Sequence, residues 1–161
     1  MSIEDRYEYN SIDVARYIAA YANEHKFGIN ITKIQKLLYA AYGVFLSVNG
    51  YRLTDEHPAA WPYGPVFAST RERIKGENLP SLSFDNQNIG YLRQDKMISQ
   101  LMNLIFNTYG ALDASSLTAW SHEDGSPWEL TTRDYNFKWG DAIPDVYIKD
   151  HFDKIVTVGN G

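Results

Sequence analysis

The 161-residue chain contains no cysteine. That absence excludes disulfides, thiolate metal sites and cysteine nucleophiles, and it fits a reducing, cytoplasmic setting. Nor is there an excess of base: 15 Lys and Arg stand against 20 Asp and Glu, a net charge of −5. Proteins that bind nucleic acid ordinarily present a basic face, so this balance argues against DNA or RNA as the partner. No apolar run reaches the ~18 residues a membrane span requires, which argues against a membrane partner. Residues 1–9 are charged and polar and do not read as a leader sequence; they read as a loose arm. Internal repeats and low-complexity segments are also missing.

What is present is apolar and aromatic. Hydrophobic residues make up 44% of the chain, with twelve Tyr, seven Phe and four Trp. This is enough for one domain over residues 1–161, with a core of about residues 10–156. Rings at that density suit a core and a protein-binding surface alike.

The chain is organised around residues 34–48. Ile34, Leu37, Leu38, Ala41, Val44, Phe45 and Val48 recur at helical spacing, and Tyr39, Tyr42 and Leu46 widen the stripe. At about 100° per residue, only Lys33, Lys36, Ala40, Gly43 and Ser47 remain as a narrow polar or small strip. Such a helix should bury most of its circumference. Thr32 reads as its N-cap, with Gln35 completing a capping box, and Asn49-Gly50 as its stop. The expected fold is therefore mainly α (α+β): a compact multi-helix domain around a central buried helix. One short β-strand or hairpin is expected near residues 51–63.

Other helices have their own signals. Asn10 caps a first helix that carries Val14, Tyr17, Ile18, Tyr21 and Ala22, and Phe27-Gly28 ends it. Gly64-Pro65 reads as the opening of a third helix. Residues 77–91 are rich in Ser, Asn, Asp and Gly and read as a surface connection, with a brief strand near residues 81–84. Gln94-Asp95 opens a helix whose apolar face includes Met97, Leu101 and Leu104. Asp113 and Ser126 cap two more, the latter with Pro127 and Glu129 behind it. Pro144 opens the last, and residues 157–161 should fray.

Catalytic patterns fail one by one. His25, His57, His122 and His151 lie at no metal-binding spacing from one another. Ser121, His122, Glu123 and Asp124 have the composition of a relay. As neighbours on a helix they point about 100° apart, so they cannot form one with each other. The glycines match no phosphate-binding loop. Arg71, Arg73 and Lys75 are offset by Glu72 and Glu77 as a nucleic-acid site, and read as a solvated face or as contacts to an acidic patch on a protein partner. Within Trp61-Pro62-Tyr63-Gly64-Pro65 the rings of Trp61 and Tyr63 serve either to anchor a strand on the core or to anchor an interface.

Four pieces in order and register carry a resemblance. They are Lys33-Ile34-Gln35-Lys36-Leu37-Leu38-Tyr39 with Ala41-Tyr42-Gly43; Ala60-Trp61-Pro62-Tyr63-Gly64-Pro65-Val66; Tyr109-Gly110 with Leu117-Thr118-Ala119-Trp120-Ser121-His122; and Gly125-Ser126-Pro127-Trp128. Together they resemble the Panacea domain family, the phage-associated GepA or SocA-like proteins, from about Ile12 to the last helix. Residues 77–91 are the main departure.

The resemblance implies an antitoxin of a toxin–antitoxin system that neutralises a cognate protein toxin by direct binding. The toxin would be encoded by an adjacent gene, often on a prophage. The resemblance also implies one alternative, an adaptor that delivers the toxin to a Clp protease. A nucleic-acid-binding regulator and a hydrolase built on His57 or His122 are further alternatives. No enzyme activity, catalytic residue, cofactor or metal is implied. Gln35, Tyr39, Trp61, Tyr63, Gly64, Pro65, Trp120, Ser126, Pro127 and Trp128 become family-motif residues with a mainly structural role. The strip Lys33, Lys36, Ala40, Gly43 and Ser47, with residues 77–91, is the expected partner-binding surface.

Overall fold

The central helix expected over residues 34–48 is α2 (Ile31–Asn49), and every residue from 33 to 46 along it is buried. The computed structural model describes residues 3–86 and 88–160, the side chains of 157–160 apart. Around α2 pack α1 (Ser11–Glu24), α4 (Lys96–Tyr109), α5 (Ala114–Ser121) and α7 (Asp145–Asn160). One apolar cluster runs from Tyr9 to Phe152. The protein is mainly α-helical with two small sheets.

The caps explain where the helices begin. Asn10, Asp95, Asp113 and Ser126 each accept backbone N–H groups in the first turn that follows them. For α2 the cap is Asn30 rather than Thr32: its side chain accepts the Lys33 N–H at 2.8 Å. Gly50 ends α2 in the left-handed region at φ 77°, a conformation that suits glycine. α1 ends earlier than Phe27-Gly28, with His25 as its C-cap and Lys26 taking the positive φ of 62°. Phe27 packs instead on the ring of Phe106, 5.1 Å away.

The sheets depart from the sequence reading in two ways. Residues 4–9 are not a loose arm: β1 (Glu4–Tyr9) pairs in parallel with β2 (Tyr51–Thr54). Gly64-Pro65 does not open a helix. β3 (Ala59–Trp61) and β4 (Gly64–Val66) form an antiparallel hairpin around Pro62 and Tyr63. The fixed φ of proline suits an edge strand as well as a first helical turn. α3 (Ala68–Ile74) starts beyond it and is capped from a distance. The Glu56 carboxylate accepts the N–H groups of Ser69 at 2.7 Å and Thr70 at 2.9 Å.

Residues 77–91 are tied down, with no strand at 81–84. A short 3₁₀ turn spans Leu79–Ser81 and another Gly90–Gln94. Leu82, Phe84, Ile89 and Leu92 are buried. Arg16 on α1 donates to Glu77 at 2.6 and 2.9 Å, and Asn23 donates to the Leu79 and Leu82 carbonyls. The segment's apolar residues lack a period because it buries them from turns. Gln87 lies outside the described residues. On α4, Met97 and Leu104 are 40% and 50% exposed, at the edges of the apolar stripe. α7 continues to Asn160 through the tail expected to fray, and Gly161 lies outside the described residues. α6 (Pro127–Thr132) returns the chain to the hairpin.

Candidate interaction site

The β3–β4 hairpin crosses the N-terminal half of α2 and encloses a cleft of about 310 Å³ against it. Thr32, Gln35, Lys36, Trp61, Tyr63, Val66 and Arg71 line that cleft. α2 supplies the floor, the hairpin supplies the aromatic wall, and α3 carries Arg71 to the mouth. The Arg71 guanidinium lies 5.8 Å from the centre of the Trp61 ring. Tyr63 at the hairpin tip is 70% exposed.

Beneath the hairpin the groups are polar and tightly placed. The Phe67 N–H donates to Gln35 Oε1 at 2.7 Å, which fixes the orientation of the amide. Gln35 Nε2 and His122 Nε2 are buried and have no hydrogen-bond partner. Lys36 Nζ donates to the Pro65 carbonyl at 3.3 Å. Burial lowers the Lys36 pKa from 10.5 to about 8. The His122 pKa is also lowered, first by burial and then by the Lys36 charge, while the nearby Tyr63 backbone opposes the shift. Gly64 makes this crowding feasible. Its φ is +111°, and a Cβ there would meet Ser121 Oγ at 2.7 Å and Lys36 Cε at 3.0 Å.

The outer face of the hairpin is aromatic. Trp128, near the start of α6, stacks on His122 with ring centres 3.8 Å apart, and its indole N–H donates to the Trp61 carbonyl at 2.8 Å. Trp139 lies 6.3 Å from Trp128 and 5.0 Å from Phe137, and is 58% exposed. Residues 138–143 are laced to β3: the Ala60 N–H donates to the Asp141 carbonyl, and the Gly140 N–H to the Ala60 carbonyl. Aromatic side chains thus border the hairpin: Tyr63 and Trp61 line the cleft, and Trp128, bonded to the Trp61 carbonyl, meets Trp139.

The strip Lys33, Lys36, Ala40, Gly43 and Ser47 is not an exposed partner surface, which corrects the sequence reading. Lys33 is 6% exposed and donates to the Gly110 carbonyl at 2.6 Å, where the end of α4 presents its negative pole. Lys36 goes under the hairpin at 1% exposure, and Ala40 has none. Gly43 is covered by the Phe152 ring of α7. Ser47 donates to Asp153 on the same helix. A helical wheel shows which residues are polar or small, not which elements pack on them. Here small residues admit α7, and lysines meet backbone carbonyls.

Most of the family-motif residues surround the hairpin. Gln35, Trp61, Tyr63, Gly64, Pro65 and Trp128 meet there. Ser126 and Pro127 start α6 and thereby place Trp128. Tyr39 and Trp120 lie deeper, with rings 5.9 Å apart, in a cluster with Phe152 and Tyr109. The structure brings Arg71, one of the cations open to an acidic partner, to the cleft, and adds His122 and Trp139 beside the hairpin. The available signals are His122 at the end of a family piece, the cationic Arg71 on the third helix, and Trp139 in a polar loop. Among the described residues no group of three His, Asp or Glu side chains could hold a metal ion, and no helix is long and apolar enough to cross a membrane.

Residues 34–129 match the model of the family described as "Antitoxin SocA-like, Panacea domain". Those residues include Gln35 and Lys36 of the floor, the hairpin, α3, His122 and Trp128. The chain is 32% identical to Antitoxin SocA of Caulobacter vibrioides (strain NA1000 / CB15N) over 134 residues, covering 74% of this chain and 69% of that protein. No solved structure matches it.

Proposed function

The chain belongs to the SocA-like antitoxin family built on the Panacea domain, and from that premise we propose that it neutralises a cognate protein toxin by binding it directly through the hairpin face. The observation that carries this reading is the aromatic border of the hairpin. Tyr63 on the cleft wall and Trp139 against Trp128 are 70% and 58% exposed, and the cleft holds a buried donor. Exposed rings on a rigid hairpin lose little conformational freedom on binding and are frequent interface anchors. About 800 Å² per partner makes a specific interface, and the hairpin with its flanking loop can form the centre of one. The mode of action is binding rather than catalysis.

The toxin is proposed to be the product of an adjacent gene. Co-expression should rescue growth, and the two proteins should copurify at a fixed ratio. Absence of any complex with that product would sink the reading. Toxin half-life, measured with and without a Clp protease, separates occlusion from delivery: an occluded toxin persists, whereas a delivered one is lost only when the protease is present.

A further inference from the structure

The cleft has two cations in its lining and no acid. Lys36 is 1% exposed, and its ammonium donates only the 3.3 Å bond to the Pro65 carbonyl. No carboxylate pairs with it among the described residues. Gln35 is 2% exposed, held by its Oε1, with both hydrogens of Nε2 unused. A buried ammonium without counter-charge and a buried amide without acceptor are each costly, and an incoming acceptor relieves both at once. We propose that this cleft is a carboxylate-binding site for an extended segment of a protein partner, taking either an acidic side chain or a terminal carboxylate. The inference rests on the reading that a protein partner docks at the hairpin face.

The shape and donors favour a carboxylate. Lys36 and Gln35 both line the cleft, so a cation and an amide N–H donor are offered to the same acceptor group. Arg71 at the mouth adds a second cation, and its recorded ion pair is a 3.6 Å contact with the exposed Glu72. Trp61, Tyr63 and Val66 give the walls the apolar character that an extended peptide requires. A phosphate dianion, by contrast, calls for more donors, typically a run of backbone N–H groups or a helix N-terminus.

The test is a titration of the ¹⁵N-labelled full chain, followed by nuclear magnetic resonance. Four probes are used: N-acetyl-glutamate amide, N-acetyl-alanyl-glycine with its free carboxylate, N-acetyl-glutamine amide, and inorganic phosphate. At least one carboxylate probe should shift the Gln35 side-chain amide and the Trp61 indole resonances saturably, and the stronger of the two identifies the source. The glutamine probe should not. Lys36→Met should weaken that binding about tenfold or more. Arg71→Ala, at a partly exposed position that leaves the fold intact, should weaken it several-fold.

Failure of both carboxylate probes to bind saturably would overturn the proposal. Tighter binding of phosphate at the same resonances, or equal binding by the folded Lys36→Met protein, would overturn it too. If the neighbouring gene product copurifies while the probes fail, only the cleft assignment falls. If the probes bind while no gene product copurifies, the direct-binding function falls and the cleft stands.

Discussion

Replacing Lys36 with methionine should stabilise this protein, and the gain should vanish in alkali. Methionine keeps most of the length of the side chain, one atom shorter, and removes its charge. Lys36 is 1% exposed, and burial lowers the pKa of its ammonium from 10.5 to about 8. Each pH unit between those values corresponds to about 1.36 kcal/mol, so the buried charge costs roughly 3 kcal/mol at pH 7. Losing the long hydrogen bond to the Pro65 carbonyl returns about 1 kcal/mol. The net gain is about 2 kcal/mol, or a Tm higher by about 4–8 °C for a domain of this size.

The sign of the pH dependence follows from proton uptake. Between about pH 8 and 10.5 the unfolded chain holds a proton on Lys36 that the folded protein has released, so wild-type stability rises with pH across that window. Methionine has no proton to release. The difference between the two proteins is therefore constant below about pH 8 and shrinks by about 2 kcal/mol by pH 9.5. Lys33, whose pKa burial also lowers, and the tyrosines are common to both proteins and cancel. Urea unfolding at pH 7 and pH 9.5 measures the effect. A Lys36→Met protein no more stable than wild type at pH 7, or a gain that does not change by pH 9.5, would refute the reasoning.

Four further outcomes are expected. Gly43→Ala would drive a Cβ into the Phe152 ring. It should cost about 1–3 kcal/mol in urea unfolding, and Phe152→Leu in the same chain should recover part of that loss. Asp145→Ala removes the acceptor of the buried Tyr42 hydroxyl at 2.6 Å and the His57 contact at 3.1 Å. It should destabilise by about 1–3 kcal/mol in the same assay. Tyr63→Ala with Trp139→Ala should change stability by less than about 1 kcal/mol, yet weaken binding to the copurifying toxin by about 2 kcal/mol or more in calorimetry. Finally, the Lys36 charge helps to hold the His122 pKa below its usual value. Stability is thus lost as pH falls below about 6.5, where the unfolded chain takes up a proton that the folded His122 still refuses. In Lys36→Met the imidazole should titrate at higher pH, as read from its ring-proton shifts.

Local signals were legible where the physics is local. Asn10, Asp113 and Ser126 were identified as caps because a short polar side chain ahead of an apolar period has few other uses. The burial of α2 was legible because its apolar positions fill most of a turn. The hairpin was only half legible. Gly64-Pro65 satisfies the rules for a helix start and for an edge strand, and the choice depends on Lys36, Ser121 and His122 packing against Gly64. β1 was illegible because its residues are mostly exposed and gain order from the edge of β2. Residues 77–91 look like a free connection because nothing local reveals the Arg16–Glu77 pair, whose partners stand 61 positions apart.

The candidate site shows why the polar strip of α2 was misread as a surface. On most helices lysine marks the solvent side, since burying an ammonium costs more than a packed side chain returns. Here the same helix is enclosed all round, so its lysines must go inside and find acceptors. Lys33 finds the end of α4, and what it meets there is a complete structural explanation. Lys36 finds one carbonyl at 3.3 Å and nothing of opposite charge. Two lysines three positions apart therefore have different standing. Gly110 satisfies the first, while the second remains the most under-compensated cation beside the cleft, next to an amide with the same deficit. If folding alone had shaped this position, methionine would serve better, and the stability gain expected for Lys36→Met measures how much better. A gain in stability accompanied by loss of carboxylate binding would mark Lys36 as retained for the cleft rather than for the core.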